Sequence, residues 1–233
     1  MRPVGILGGM GPEATVLLMQ KVIAAVSAED DADHIPLLVD QNPQVPSRIK
    51  RLIDGTGADP APVLVGMAQK LQAAGAEALA MPCNTAHHYA GAVQAATSVP
   101  FLDMVALSVA KARDLAGADG RVGILASPAV RQVGLFDAAL AKAGLTPVYA
   151  SDETALLTAI RSIKAAGPTE TARATLHAAS HTLLNSKACV QLIACTEFSL
   201  IADVLAEGAK RVDTLDVLVE AIVAFSHSTE DEH

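Results

Sequence analysis

Two cysteines stand in matching surroundings. Cys83, in "MPCNTAHH" (81–88), follows the apolar run "AEALA"; Cys195, in "ACTEFSL" (194–200), follows "VQLI", 112 residues later (195 − 83). Each closes a strand-like run and is followed by small polar residues, Asn84 and Thr85 in one case and Thr196 in the other. Those residue types favour helix N-caps. A helix N-terminus lowers a thiol's pKa and offers free backbone N–H groups to a carboxylate. Two thiols on opposite faces of one ligand suit one reaction type. One, as thiolate, removes a proton from carbon; the other, as thiol, returns a proton from the far side, and the centre inverts. A single cysteine in such a place is usually a small buried hydrophobe, but a pair at matched positions asks for another explanation. The third cysteine, Cys189 in "KACVQLI", has no counterpart and is expected in the core.

The elements that must position these thiols alternate along the chain. "PVGIL" (3–7), "IPLLVD" (35–40), "ALAMP" and "VPFLDM" (99–104) read as strands, with helical patterns at 11–27 and 59–75 between them. Strands separated by helices imply a parallel sheet covered on both faces, and ligands then bind beyond the carboxyl ends of the strands. The pattern then restarts. "RVGILASPAV" (121–130) echoes "PVGILGGMGP" (3–12), and "VQLIACTEF" echoes "ALAMPCNTA", cysteine on cysteine. "TLDVLVEAI" (214–222) echoes "FLDMVALSV" (101–109), which pairs Asp103 with Asp216 as expected helix caps. Such a repeat predicts two pseudo-symmetric α/β halves facing one cleft, with a thiol on each side. The expected division is 1–98 plus 209–233 for the first half and 99–208 for the second, ending in a polar, frayed tail, "SHSTEDEH".

Composition removes other classes. The chain has 233 residues, 51% apolar but only 3% aromatic, so its cores are built from Ala, Val, Leu and Ile. A net charge of −8 argues against nucleic acid, whose phosphates need a basic face. No apolar run nears the roughly 18 to 20 residues that span a bilayer, so no membrane partner is expected. The opening "RPVGILGG" has no signal-peptide pattern. A cytoplasmic location with all three thiols reduced follows as the expectation.

Four segments, "GILGGMGPEAT" (5–15), "NPQVPSR" (42–48), "MPCNTAH" (81–87) and "ACTEFSL" (194–200), resemble the aspartate/glutamate racemase family, most closely its aspartate racemase branch. They lie in the family's order and span nearly the whole chain. The resemblance implies two flavodoxin-like domains with the active site between them, and an amino-acid racemase that uses no cofactor and no metal. It implies that Cys83 and Cys195 are the acid/base pair, and that Asn84, Thr85 and Thr196 hold the α-carboxylate and α-amino group. Arg48 matches the ligand of the substrate's second carboxylate, which an arginine can bind bidentately. Lys164 matches a second cation. Gly9 and Met10 in the glycine loop, and Ser127 at the corresponding place in the second half, complete the expected substrate shell. Glu197 and His87 are expected to support the two thiols from behind. Ala194 stands where the family commonly has glycine, and Ser127 where threonine is usual.

Other signals point elsewhere. Gly9 to Ala14 reads G-x-G-x-x-A, half of a dinucleotide fingerprint, with Glu29 or Asp30 in range of a ribose. His87, four residues after Cys83, could share a metal with it, but no third ligand presents itself. The leading expectation is racemisation of a small acidic amino acid, aspartate first and glutamate second. A non-catalytic small-ligand or nucleotide-binding protein, or an isomerase or decarboxylase of the same superfamily, is the alternative. A homodimer is left open.

Overall fold

The structure is a computed structural model that describes residues 1–117 and 120–228. The expected frayed tail extends into 229–233, outside the described residues. The first parallel sheet contains β1 (Val4–Gly8), β2 (Leu37–Gln41), β3 (Ala78–Ala80) and β4 (Phe101–Leu102), in the order β2-β1-β3-β4. The second contains β5 (Arg121–Leu125), β6 (Thr146–Tyr149), β7 (Val190–Ile193) and β8 (Lys210–Asp213), in the order β6-β5-β7-β8. The two orders are the same, and both open as the flavodoxin-like order does. Every residue of β1, β3 and β7 is buried, which is why these strands read as mostly apolar runs, broken only by Gln191, rather than alternating ones.

Ten helices cover the sheets: α1 (Pro12–Ala24), α2 (Arg48–Leu52), α3 (Ala61–Ala73), α4 (Ala90–Ala95), α5 (Met104–Ala116), α6 (Pro128–Gln132), α7 (Asp137–Lys142), α8 (Glu153–Ala166), α9 (Glu170–Asn185) and α10 (Thr214–His227), counted among the described residues. The prolines sit where the chain tolerates them. Pro12 and Pro128 each open a helix, where a missing N–H costs nothing.

The halves are joined by two crossings. Strand β4, which a division at 98/99 assigns to the second half, is hydrogen-bonded to β3 of the first sheet. Strand β8, which a division at 208/209 assigns to the first, is bonded to β7 of the second. The chain changes sides just after each strand. Val105, Val109 and Ala112 of α5 pack with Val122, Ile124, Val190 and Leu192 of the second sheet. Leu215, Leu218 and Ile222 of α10 pack with Val4, Ile6, Ala78 and Ala80 of the first. Burying one such side chain contributes about 1.5–3 kcal/mol.

Two expectations need correction here. Asp103 does cap its helix, its carboxylate accepting from the N–H groups of Val105 and Ala106. Its partner is Asp213, which caps α10, whereas Asp216 lies in the first turn and pairs with Lys21 at 2.5 Å. The echo at 214–222 was therefore three residues out of step. Cys189 is exposed, not core. It lies in the loop before β7, between buried Ala188 and Val190, where alternation turns it outward.

Burial pushes Asp213 up to about 6, with the charge of Asp216 adding to it and the Ser199 hydroxyl opposing. A carboxyl with a raised folded pKa stabilises the fold below its unfolded value near 3.9, and that contribution is lost as pH rises through about 6. Asp213→Asn keeps an acceptor for Ser199 and Leu215. The variant is expected to lose on the order of 2 kcal/mol of pH dependence between about pH 4 and 6, read as a flatter plot of denaturation midpoint against pH. An unchanged slope would show that Asp213 is ionised throughout.

Candidate active site

Cys83 follows β3 by three residues and Cys195 follows β7 by two. These are equivalent strands of the two sheets, and both thiols lie at carboxyl ends. Each is then followed by a short 3-10 helix, Thr85–Tyr89 and Phe198–Val204. Both cysteines are free and buried, 7% and 8% exposed, and both line one cavity of about 600 Å³. The cavity also takes in Gly9, Met10 and Arg48 from the first half, Thr85 beside Cys83, and Ser127, Lys164 and Glu197 from the second.

The glycine loop forms one wall. Gly9 has φ +92, and a Cβ there would stand 2.4–2.7 Å from the backbone of Asn42, so only glycine fits. Its N–H donates to Thr15 Oγ1 at 2.9 Å, fixing the loop to α1. Arg48 opens α2, behind the Ser47 cap. Its guanidinium donates to the carbonyls of Val45 at 3.2 Å and Pro46 at 3.0 Å, and reaches Met10 O at 3.5 Å. The fork thus braces two loops, while a guanidinium's remaining N–H donors are left for a ligand.

Behind Cys83 the contacts differ from expectation. Asn84 and Thr196 are buried, 2% exposed each, and neither lines the cavity. Asn84 Nδ2 instead donates to Thr214 Oγ1 at 2.9 Å, and that hydroxyl donates to the carbonyl of Ile193 at 2.9 Å. Thr214 is fully buried at the start of α10, and its one sequence signal is the Asp-Thr that opens this helix. Thr85 Oγ1 meets Ser127 Oγ at 3.4 Å across the two halves. His87 accepts from the Met104 N–H at Nε2 (3.2 Å), so Nδ1 carries the proton donated to the Cys83 carbonyl (2.9 Å). Burial holds the ring below its usual pKa, which keeps it neutral in this role.

Around Cys195 the chemistry is ionic. Its Sγ donates to Glu197 Oε2 at 3.0 Å. The other oxygen of Glu197 is paired with Lys164 Nζ from the last turn of α8. Burial, then the charge of Glu197, push the Cys195 thiol well above its usual pKa; Lys164 opposes them. The expected lowering by a helix N-terminus therefore loses to desolvation and a neighbouring carboxylate. Burial alone would push the Lys164 ammonium down, but Glu197 and both thiols outweigh it and hold it up. Arg48 and Lys164, 116 positions apart, sit on corresponding helices but at opposite ends, the first turn of α2 and the last of α8.

Two α/β halves thus each bring one thiol to a shared cavity. The sequence model of the Asp/Glu/Hydantoin racemase family matches residues 7–222, and the chain belongs to that family. Its fold is similar to that of Picrophilus torridus aspartate racemase, 25% identical, with a TM-score of 0.85 over 97% of this chain and 94% of that one. A putative Asp/Glu racemase from Yersinia pestis (21% identical, TM-score 0.78, 98% and 100% covered) shares the fold. So does the glutamate racemase of Francisella tularensis in complex with D-glutamate (16%, 0.66, 96% and 80%). A broad specificity amino-acid racemase of Bacillus subtilis is 37% identical over 106 residues, which span 44% of this chain and 45% of that protein.

Thr214→Val keeps shape and removes both hydrogen bonds. It strands the Asn84 amide and releases the Ile193 carbonyl, each in a buried setting where an unpaired group costs about 1–3 kcal/mol. A loss of about 2 kcal/mol or more in denaturant unfolding is expected. A variant as stable as the parent would mean the bridge contributes nothing.

Proposed function

We propose that the protein is a cofactor-independent amino-acid racemase interconverting L- and D-aspartate, with glutamate as second candidate, by proton transfer between Cys83 and Cys195. One observation carries the reading: thiols from equivalent strand ends of the two halves line the same cavity. One thiolate removes the α-proton, and the opposite thiol donates its own proton to the other face of the carbanion. Lys164, which lines the cavity with both thiols, stabilises whichever sulfur is ionised. Arg48 binds the side-chain carboxylate. The Thr85 and Ser127 hydroxyls, which meet at the cavity wall, serve the α-carboxylate, with the Met10–Gly11 backbone close by. Asn84, bonded to Thr214, holds the segment that carries Cys83 rather than the substrate itself. A cytoplasmic setting keeps the thiols reduced.

The alternative is binding without chemistry, and proton exchange separates the two. Incubation with aspartate or glutamate in D2O is expected to exchange the α-proton, followed by NMR, unaffected by EDTA or added pyridoxal phosphate. Cys83→Ser and Cys195→Ser are each expected to lower racemisation by about 10²- to 10⁴-fold, the usual worth of a positioned acid or base. Full activity in either variant would remove the two-thiol mechanism; no exchange in the parent would leave the binding reading.

Arg48 tests the acidic substrate. Arg48→Ala leaves a bound carboxylate poorly paired, costing about 3–5 kcal/mol, so kcat/KM for aspartate is expected to fall about 10²- to 10³-fold or more. Arg48→Lys restores part of it, lacking the planar fork. Alanine, if turned over, is expected to be indifferent to the change. Equal losses for aspartate and alanine would reduce Arg48 to a brace of its loop.

A further inference from the structure

The Lys164 ammonium does not stand open in the cavity. It is paired with Glu197 Oε1, and the same carboxylate takes the Cys195 thiol proton in a hydrogen bond at Oε2. The Glu197 side chain is 8% exposed and that of Lys164 36%, so the carboxylate is fixed inside while the cation faces the ligand space. The pair lies against the glycine loop of the other half. A Cβ built on Gly11 would stand 3.4 Å from Glu197 Oε1 and 3.6 Å from Lys164 Nζ. A carboxylate delivered between the halves therefore arrives beside Lys164 and in competition with Glu197.

We propose that Glu197 sets the specificity of this site, holding Lys164 in reserve until the second carboxylate of an acidic substrate takes the cation from it. The inference rests on the acidic-substrate reading. A buried carboxylate that loses its cation is driven to take up a proton, and the proton at hand is on Cys195 Sγ. The S–H bond breaks, an O–H bond forms on Glu197 Oε2, and Cys195 becomes the thiolate that attacks the α-proton. The net charge of the thiol–carboxylate pair is unchanged. Of the other charged groups on the cavity wall, Arg48 shares the substrate's second carboxylate with Lys164 from the facing half, and Glu13 takes no part in the proton transfer. An amino acid without a second carboxylate leaves Lys164 on Glu197 and the thiol protonated. Discrimination against it then appears in kcat and not only in KM.

Succinate, which has both carboxylates but no α-ammonium, and propionate, which has one, are the probes. Saturating succinate is expected to raise the ultraviolet thiolate absorbance of the wild-type protein by up to one thiolate per chain. Propionate is expected to leave it unchanged, and Cys195→Ser to abolish the rise. Glu197→Gln removes both the competitor and the proton acceptor. It is expected to bind succinate about tenfold more tightly, equivalent to about 1.4 kcal/mol, with no rise in thiolate. Its preference for aspartate over alanine moves from kcat into KM. Succinate bound to the wild type without a thiolate signal, or bound no more tightly by Glu197→Gln, overturns the proposal while racemisation stands. The wild-type comparison needs no variant to fold. If wild-type protein neither binds succinate nor exchanges the α-proton of aspartate, the acidic-substrate reading itself has failed, and this inference with it.

Discussion

One buried hydroxyl ties the two halves together beside the cysteines. Thr214 Oγ1 accepts from Asn84, the residue after Cys83, and donates to the carbonyl of Ile193, two residues before Cys195. Apolar packing is non-directional and would let two sheets slide. A buried hydrogen bond is directional, and leaving either end unpaired is costly. These polar bonds tie the segments before Cys195 and after Cys83 to one buried hydroxyl, with the apolar clusters of the two halves supplying bulk stability.

The fold repeats but the site does not. Cys83 is backed by a neutral ring, His87, whose two nitrogens are engaged by the Cys83 carbonyl and the Met104 N–H. Cys195 is backed by a carboxylate and a cation. Two chemically identical groups thus meet different surroundings, the arrangement by which proteins assign opposite acid and base roles. The ionic half carries Lys164 and the other half Arg48, so each side of the cavity has a cation of its own, one pre-paired and one bracing a loop.

Much of this was legible in the sequence because repetition and periodicity are local signals. The strands ending at Cys83 and Cys195 read as apolar runs, and the segments around Arg48 and the glycine loop keep recognisable spacing. What was illegible depends on partners. Nothing in "FLDM" or "RVDT" says which sheet the next helix will cover, so the boundaries near 98 and 208 missed that β4 and β8 stay with their sheets. The Asp103 echo slipped to Asp216 because both sit in "LD", whereas the cap is decided by where the strand ends. Cys189 was judged by its apolar neighbours, but its exposure follows from its place in a loop. Asn84 and Thr196 have the right types for a ligand, yet burial turned both away from the cavity, and only coordinates reveal the Thr214 hydroxyl that claims Asn84.

The two crossings have a consequence for how the molecule could have arisen and how it comes apart. Helix α5 follows the first sheet but covers the second; α10 follows the second but covers the first. Neither half, cut out of the chain, would carry all of its own cover. Two separate copies of such a half could build this structure only by lending each other a helix, so the chain has the anatomy of a domain-swapped pair fused end to end. Loosening either sheet strips a helix from its neighbour, which couples the unfolding of the two halves.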